Sequence, residues 1–282
     1  MCETALGRGA GRGRHIRAPQ PLRGVRHTLH GFADLSELAA AITAGGRVSG
    51  SFAAVLGTDI KALAPTASQR LIDVSIDAAR AAGAARIAVV GAKAVHEHCA
   101  TRIDEAIDES PSGEENLRRA IASARGAPLL LMTSDLPFVR GDAVSEFLER
   151  AQRSDVAMPL SSATAYAAAF PGAPEHTVSL GGERVANGSV FWFAPGTGAR
   201  VSEIATRLFS ARKSPVRMAT LLGPALLLRF AIRRLRIADV EQRAHALFGL
   251  RVSAVRDCAP GLCYDVDTQA DYEYALERLA RG

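Results

Sequence analysis

Between Ala127 and Pro137 the chain carries an apolar run, Pro128, Leu129, Leu130, Leu131 and Met132, that ends at Thr133, Ser134 and the carboxylate of Asp135. A run of this length without alternation reads as a strand buried on both faces, which requires helices packed above and below a parallel sheet. Pro137 cannot donate to a continuing ladder, so Asp135 falls at the carboxyl end of a central strand. In open α/β sheets, ligands bind in the crevice outside those ends. Asp135 is therefore either the capping aspartate of a strand-to-loop turn or a ligand-binding group, and the run alone leaves both readings open.

The segments around this run alternate in type. Residues 37–44, rich in alanine, lead into Gly45 and Gly46 as a first buried strand and a glycine turn. Over 69–82, Leu71, Ile72, Val74, Ala78 and Ala79 recur at helical spacing, and Gly83 supplies a C-terminal stop. Residues 86–91 form a second strand, so the interval is a βαβ unit with a right-handed parallel crossover. Ser112 and Glu115 stand at capping-box spacing before a helix through Leu117, Ala120 and Ile121. A helix over 142–152 and a strand over 155–160 continue the alternation. Residues 176–180, the pair Gly181 and Gly182, and residues 184–193 then read as a hairpin running into a core strand. Residues 201–250 are mainly helical with a basic break at 211–215. A last strand over 251–255 and a terminal helix capped by Thr268 and Asp271 close the chain. The expected architecture is a three-layer α/β/α domain over 36–282, with a mostly parallel, Rossmann-like sheet and a helical insertion after Trp192 in the C-terminal half.

Six arginines, Arg8, Arg12, Arg14, Arg17, Arg23 and Arg26, stand against Glu3 alone in the first thirty residues and account for the whole net charge of +5. Residues 1–35 are thus expected to be a flexible Arg-rich tail, and the near-neutral remainder gives no nucleic-acid-binding face. Cys2, Cys99, Cys258 and Cys263 show no Cys-x-x-Cys pair or disulfide-rich spacing, which points to a reducing cytoplasm and no structural zinc. His96, His98 and Cys99 are close in sequence, but residues two apart on a helix face different ways, so they read as surface groups. The apolar stretch over 218–235 is broken by Gly223, Pro224, Arg229, Arg233 and Arg234 and does not span a bilayer. It either packs as part of the helical insertion or lies against a membrane surface or a partner.

Chemistry concentrates in three carboxylates, Asp135 after one strand and Asp265 and Asp267 after another, that converge at one sheet edge if the topology is right. Two carboxylates plus phosphates are the usual way to hold Mg²⁺, and nucleotidyl transfer is the reaction that follows. Asp265 and Asp267 have an alternative reading as helix-cap acids. The glycines over 45–50 and Lys61, one of only three lysines, form either a phosphate cradle or a plain surface loop.

Residues 41–46 with Lys61, Ala62 and Leu63, then Ser134, Asp135, Leu136 and Pro137, then Asn187 and Gly188, then Asp265, Val266, Asp267 and Thr268, resemble in order and spacing the landmarks of MobA-like nucleotidyltransferases of the GT-A type. The resemblance covers about residues 38–279. It implies that Ala44, Gly45 and Gly46 face the base and ribose of an NTP, that Lys61 holds its phosphates, and that Gly113 and Asn116 lie near the nucleobase. It further implies that Asp135 and Asp267 bind a catalytic Mg²⁺ with help from Asp265, and that Asn187, Gly188 and Lys213 contact the acceptor. The chain differs from the family pattern in the longer stretch between Arg47 and Lys61 and in Ala186 before Asn187.

The function implied is Mg²⁺-dependent transfer of NMP from an NTP to a phosphorylated small-molecule acceptor, with release of pyrophosphate. A nucleotide-sugar glycosyltransferase, whose Asp-x-Asp pair would be Asp265 and Asp267, is the second reading, and a catalytically silent nucleotide-binding subunit the third.

Overall fold

The computed structural model describes residues 33–211, 214, 223–232 and 234–281, and the features expected over 1–32 and at Lys213 lie outside them. Four strands form a parallel half-sheet: β1 (Ala39–Thr43), β2 (Arg86–Gly91), β3 (Glu105–Asp108) and β4 (Leu129–Thr133), in the order β3-β2-β1-β4. Ile42 of β1 is opposite both Val89 and Met132. Side chains alternate across a sheet, and the sorting is visible here: Ala40, Ile42, Leu130 and Met132 join one core cluster, while Ala39, Ala41, Leu129 and Leu131 join the other. Each fully buried leucine or methionine of this kind contributes about 1.5–3 kcal/mol relative to exposure.

Ten helices are described: α1 (Gly50–Leu56), α2 (Leu71–Ala81), α3 (Lys93–Cys99), α4 (Gly113–Ser123), α5 (Gly141–Ala151), α6 (Ala163–Ala169), α7 (Gly198–Ala211), α8 (Pro224–Ala231), α9 (Ile237–Phe248) and α10 (Gln269–Arg281). Ile72 and Ile76 of α2 and Phe147 of α5 close one face of the sheet, and Ile121 of α4 and Val201 of α7 close the other. The layered α/β class expected from the buried run is therefore present.

Beyond β4 the sheet changes sense. Here β8 (Val190–Phe193) lies antiparallel to β4, followed by β5 (Val156–Ser162), β7 (Glu183–Asn187) and β6 (Thr177–Leu180), with β9 (Val252–Val255) parallel to β5. The hairpin expected over 176–193 is β6-β7 continuing into β8. Opposite β5, Asn187 pairs with Leu160 but Trp192 with Ala157, so the partner strand carries two extra residues around Gly188 and bulges there.

Three local expectations are corrected. Residues 46–63 are not one loop, because α1 rises from their middle. Strand β3 and helix α6 were not anticipated: β3 has four residues, alternates between half-buried and exposed, and lies at the sheet edge, so it lacks an apolar run. Cys99 is not a surface residue. It is fully buried, and its thiol donates to the Val95 carbonyl at 2.9 Å while burial raises its pKa.

Candidate active site

The ends of β1 and β4 meet where the buried run stops, since the Ser134 amide donates to Thr43 O at 3.1 Å and the Ser75 hydroxyl to Thr133 O at 3.0 Å. Asp135 follows in a backbone that can no longer pair as a strand. Its carbonyl instead accepts the Val266 amide at 3.0 Å, which ties the 265–267 loop from the far end of the chain to it. That loop is also held from below. Asp271, fully buried, accepts from the amides of Asp267 and Thr268 at 3.2 and 2.7 Å, and its other oxygen lies 2.7 Å from His176 Nε2. Burial opposes ionisation of Asp271, but the bonds from His176 and Thr268 outweigh it and hold the carboxyl below its ordinary pKa.

Helix α1 explains how Lys61 arrives despite the long stretch after Arg47. Val48 N donates to Asp59 O at 2.9 Å and Lys61 N to Gly46 O at 3.1 Å, so the extra residues form an excursion closed at its neck. Lys61 lands beside Gly46, where a Cβ on the glycine would come within 3.0 Å of the lysine Cε. Its ammonium lies 2.5 Å from Asp135 Oδ2 and 3.3 Å from Asp267 Oδ1, and donates to Val266 O at 2.8 Å. Burial pulls the Lys61 pKa down, but the charges of Asp135 and Asp267 more than offset this and leave it raised. Asp265 turns away and accepts from Ser189 Oγ at 3.0 Å. Burial, and then the charges of Asp135 and Asp267, push its carboxyl above the usual range.

Above this floor opens a cleft of about 760 Å³. Gly45, Gly46, Lys61, Asp135, Gly113 and Asn116 all line it, whereas Asp265 and Asp267 are not in its lining. The Asn116 amide, however, is committed to the backbone of Ser110, donating to its carbonyl at 2.9 Å and accepting from its N–H at 2.6 Å. Ala44 is fully buried in the core behind the glycines. Two charged lining residues, Arg47 and Glu109, were not among the expected site residues, and they form an ion pair. Glu109 follows the short polar strand β3, where no apolar run marks a strand end.

Asn187 and Gly188 do not line the cleft. Asn187 is exposed at the end of β7, and Gly188 is wedged where a Cβ would meet Leu262 O and Pro159 Cγ, each at 2.5 Å. Among the described residues no group of three or more His, Cys, Asp or Glu side chains is spaced to hold a metal ion by itself.

Comparison with known proteins decides the family. A sequence model of the MobA-like NTP transferase domain matches residues 40–248. The chain belongs to this family. As a MobA-like NTP transferase it is an enzyme of the nucleotidyltransferase class. A comparison with curated proteins returned no significant match. Among solved structures, this NTP transferase is similar to a hypothetical transferase from Thermus thermophilus, with 26% identity over 83% of this chain and 98% of that one and a TM-score of 0.73. It shares the fold of a nucleotidyl transferase from Methanothermobacter (16% identity, 86% and 98% covered, TM-score 0.51). It also shares that of a 4-diphosphocytidyl-2C-methyl-D-erythritol synthase from Anaerococcus prevotii (11% identity, 88% and 100% covered, TM-score 0.54). No described helix of the NTP transferase is long and apolar enough to cross a membrane.

Proposed function

We propose that the chain transfers NMP from an NTP to a phosphorylated small-molecule acceptor, using Mg²⁺ and releasing pyrophosphate. The observation that carries this reading is the single ammonium of Lys61, which lines the cleft together with Asp135 and is shared by Asp135 and Asp267. A lone cation between two carboxylates is a natural exchange point for phosphate charge, because the ammonium can swing to phosphate oxygens while the acids take up a divalent ion.

The donor set fits Mg²⁺, which prefers oxygen ligands and is usually held by one or two carboxylates together with substrate phosphates. Asp135 Oδ1 is buried and has no hydrogen-bond partner, while Asp267 is largely exposed and 3.3 Å from the Lys61 ammonium. Asp135 and Asp267 would hold the ion, with Asp265 behind them. When bound, Mg²⁺ supplies neutralisation of phosphate charge and orientation of the attacking oxygen. Lys61 stabilises the charge that builds on the α-phosphate in the transition state, and Gly45 and Gly46 let the nucleotide approach the backbone closely. An acceptor phosphate is already an oxyanion at neutral pH, so no residue need serve as general base. Lys213 and Asn187 are assigned to the acceptor in this reading.

The glycosyltransferase reading needs Asp265 and Asp267 to act as a pair, and it finds less support, since one carboxylate points to Ser189 and the other to Lys61. Three free buried thiols, Cys99, Cys258 and Cys263, suit a reducing compartment, and a cytoplasmic location forms part of the proposal. We further assign residues 36–282 to the catalytic domain and the Arg-rich residues before it to a tail outside the chemistry.

The deciding experiment is a pyrophosphate-release screen of the four NTPs against sugar phosphates and other phosphorylated metabolites. Pyrophosphate formed with one pair supports the reading, and release of nucleoside diphosphate from a nucleotide sugar would replace it with the glycosyltransferase one.

A further inference from the structure

Helix α8, Pro224–Ala231, has one polar side chain, Arg229, and is otherwise apolar on every side. A helix hydrophobic all round normally lies inside a core or a lipid phase, yet none of its residues is buried. Leu228 and Phe230 are 62% and 63% exposed, and Ile232, its C-terminal cap, is 51% exposed. No other described large apolar side chain is as exposed. Leu228 and Phe230 are two apart and point to nearly opposite sides of the helix, so contact along one face cannot cover both. The position of the helix is fixed by α9: Arg229 pairs with Asp239, and Ile237 anchors α9 by packing with Leu160 and Val185. The charge around this segment has one sign. Residues 204–238 hold eight arginines and lysines and no acid. The first acids beyond them are turned to protein partners, Asp239 to Arg229 and to the Arg236 amide, and Glu241 to the Ala254 amide at 2.8 Å. Because the first thirty residues already account for the net charge of +5, the chain outside these two stretches is net negative, and the basic character is local.

We infer that α8 and Ile232 form a peripheral anchor that seats in the surface of an anionic bilayer, with the exposed Arg234 and Arg236 against lipid phosphates. Lipid surrounds a helix, and so covers Leu228 and Phe230 together where a protein surface would cover one of them. A second copy of the chain would bring two blocks of the same charge into contact, which costs energy, whereas an anionic leaflet attracts the block. Eight residues rise only about 12 Å, too short to cross a hydrocarbon core of about 30 Å. The helix therefore lies in the interface, with its apolar side chains at the boundary between headgroups and acyl chains and the arginines at phosphate level.

The test is sedimentation of the full-length chain with vesicles of phosphatidylglycerol and phosphatidylcholine in equal parts. Binding is expected, and it should weaken at least about tenfold when salt is raised from about 0.1 M to about 1 M, where the screening length falls from about 10 Å to about 3 Å. Vesicles of phosphatidylcholine alone should bind correspondingly weakly. The triple variant Leu228→Gln, Phe230→Gln, Ile232→Gln keeps every charge, including those of the Arg-rich first thirty residues. Its partitioning should fall at least about 100-fold, the scale set by three apolar side chains withdrawn from the interface, with circular dichroism and Tm like the parent's because the three are exposed. In a separate variant, Phe230→Trp, emission should shift to the blue on addition of the anionic vesicles, against the constant background of the buried Trp192. A parent that stays in the supernatant, a triple variant that pellets as the parent does, or a Phe230→Trp emission that does not move would overturn the anchor. A parent dimer that ignores vesicles and dissociates in the triple variant would overturn it in favour of self-association.

Discussion

Lys61 Nζ stands 2.5 Å from Asp135 Oδ2, although the two residues come from opposite sides of β2 and β3 in the chain. Both side chains are nearly buried, so each is the other's main compensation for lost hydration. The pair is completed by Asp267, from the loop that precedes the last helix, which brings three distant segments to one point.

Replacing Asp135 by Asn removes a buried charge and keeps the shape. Pyrophosphate release should fall at least about 100-fold, consistent with loss of one preorganised charged group, while the far-UV circular dichroism stays unchanged. Retained turnover in this variant would sink the proposed metal role.

Lys61→Ala removes the cation that faces the phosphates and leaves Asp135 and Asp267 in mutual repulsion. The KM for NTP should rise by roughly 10- to 100-fold, the range expected for a desolvated charge-assisted contact of about 1.5–3 kcal/mol. Steady-state kinetics across NTP concentrations test this, and an unchanged KM would count against the assignment.

Gly188→Ala probes the bulge between β7 and β8. A methyl group there meets Leu262 O and Pro159 Cγ at 2.5 Å, so the segment leading to Asp265 must shift. A stability loss of about 1–3 kcal/mol is expected from such overpacking, measured by urea denaturation, together with a fall in kcat as Ser189 and Asp265 move.

Asp73 offers a test in acid, away from the cleft. Its carboxylate accepts from Arg70 N at 3.0 Å and Arg102 at 2.5 Å and lies 2.9 Å from His98 Nε2. Burial raises its pKa, but these partners outweigh burial and hold it lower than the ordinary 3.8. A depressed folded-state value means that the stabilisation is present above the unfolded value and is lost as pH falls through the folded one. Asp73→Asn should lower stability by about 1–3 kcal/mol at neutral pH and flatten the decline of Tm below about pH 4, where the carboxylate would otherwise protonate. A parent-like slope in that window would disprove the linkage.

Much of this molecule was legible in the chain. Unbroken apolar runs report burial directly, so β1, β2 and β4 and the position of Asp135 at a strand end could be read without coordinates. Helix α2 and its stop at Gly83, the N-cap of Ser112, and the hairpin turn at Gly181 and Gly182 follow from local backbone preferences. The Ser112 hydroxyl accepts from Glu115 N, while the Glu115 carboxylate turns to Arg118 and Arg119 and leaves the expected box half made. What local pattern does not carry was missed. Strand β3 is too short and polar to announce itself, and Glu109 at its end was hidden with it. Helix α1 hides in a glycine-rich stretch whose neck is closed by hydrogen bonds between residues more than ten apart.

By itself, then, the sequence determined the layered α/β class, the strand that delivers Asp135, and the residue types capable of the chemistry, because burial and backbone preference are written into neighbouring residues. Only the tertiary structure decided that Lys61 joins Asp135 to Asp267, that Asp265 turns to Ser189, that Asn116 is spent on Ser110, and that Glu109 and Arg47 share the cleft. Those are contacts between segments far apart in the chain, set by strand order and by which side chain reaches a partner first, and no local spacing encodes them.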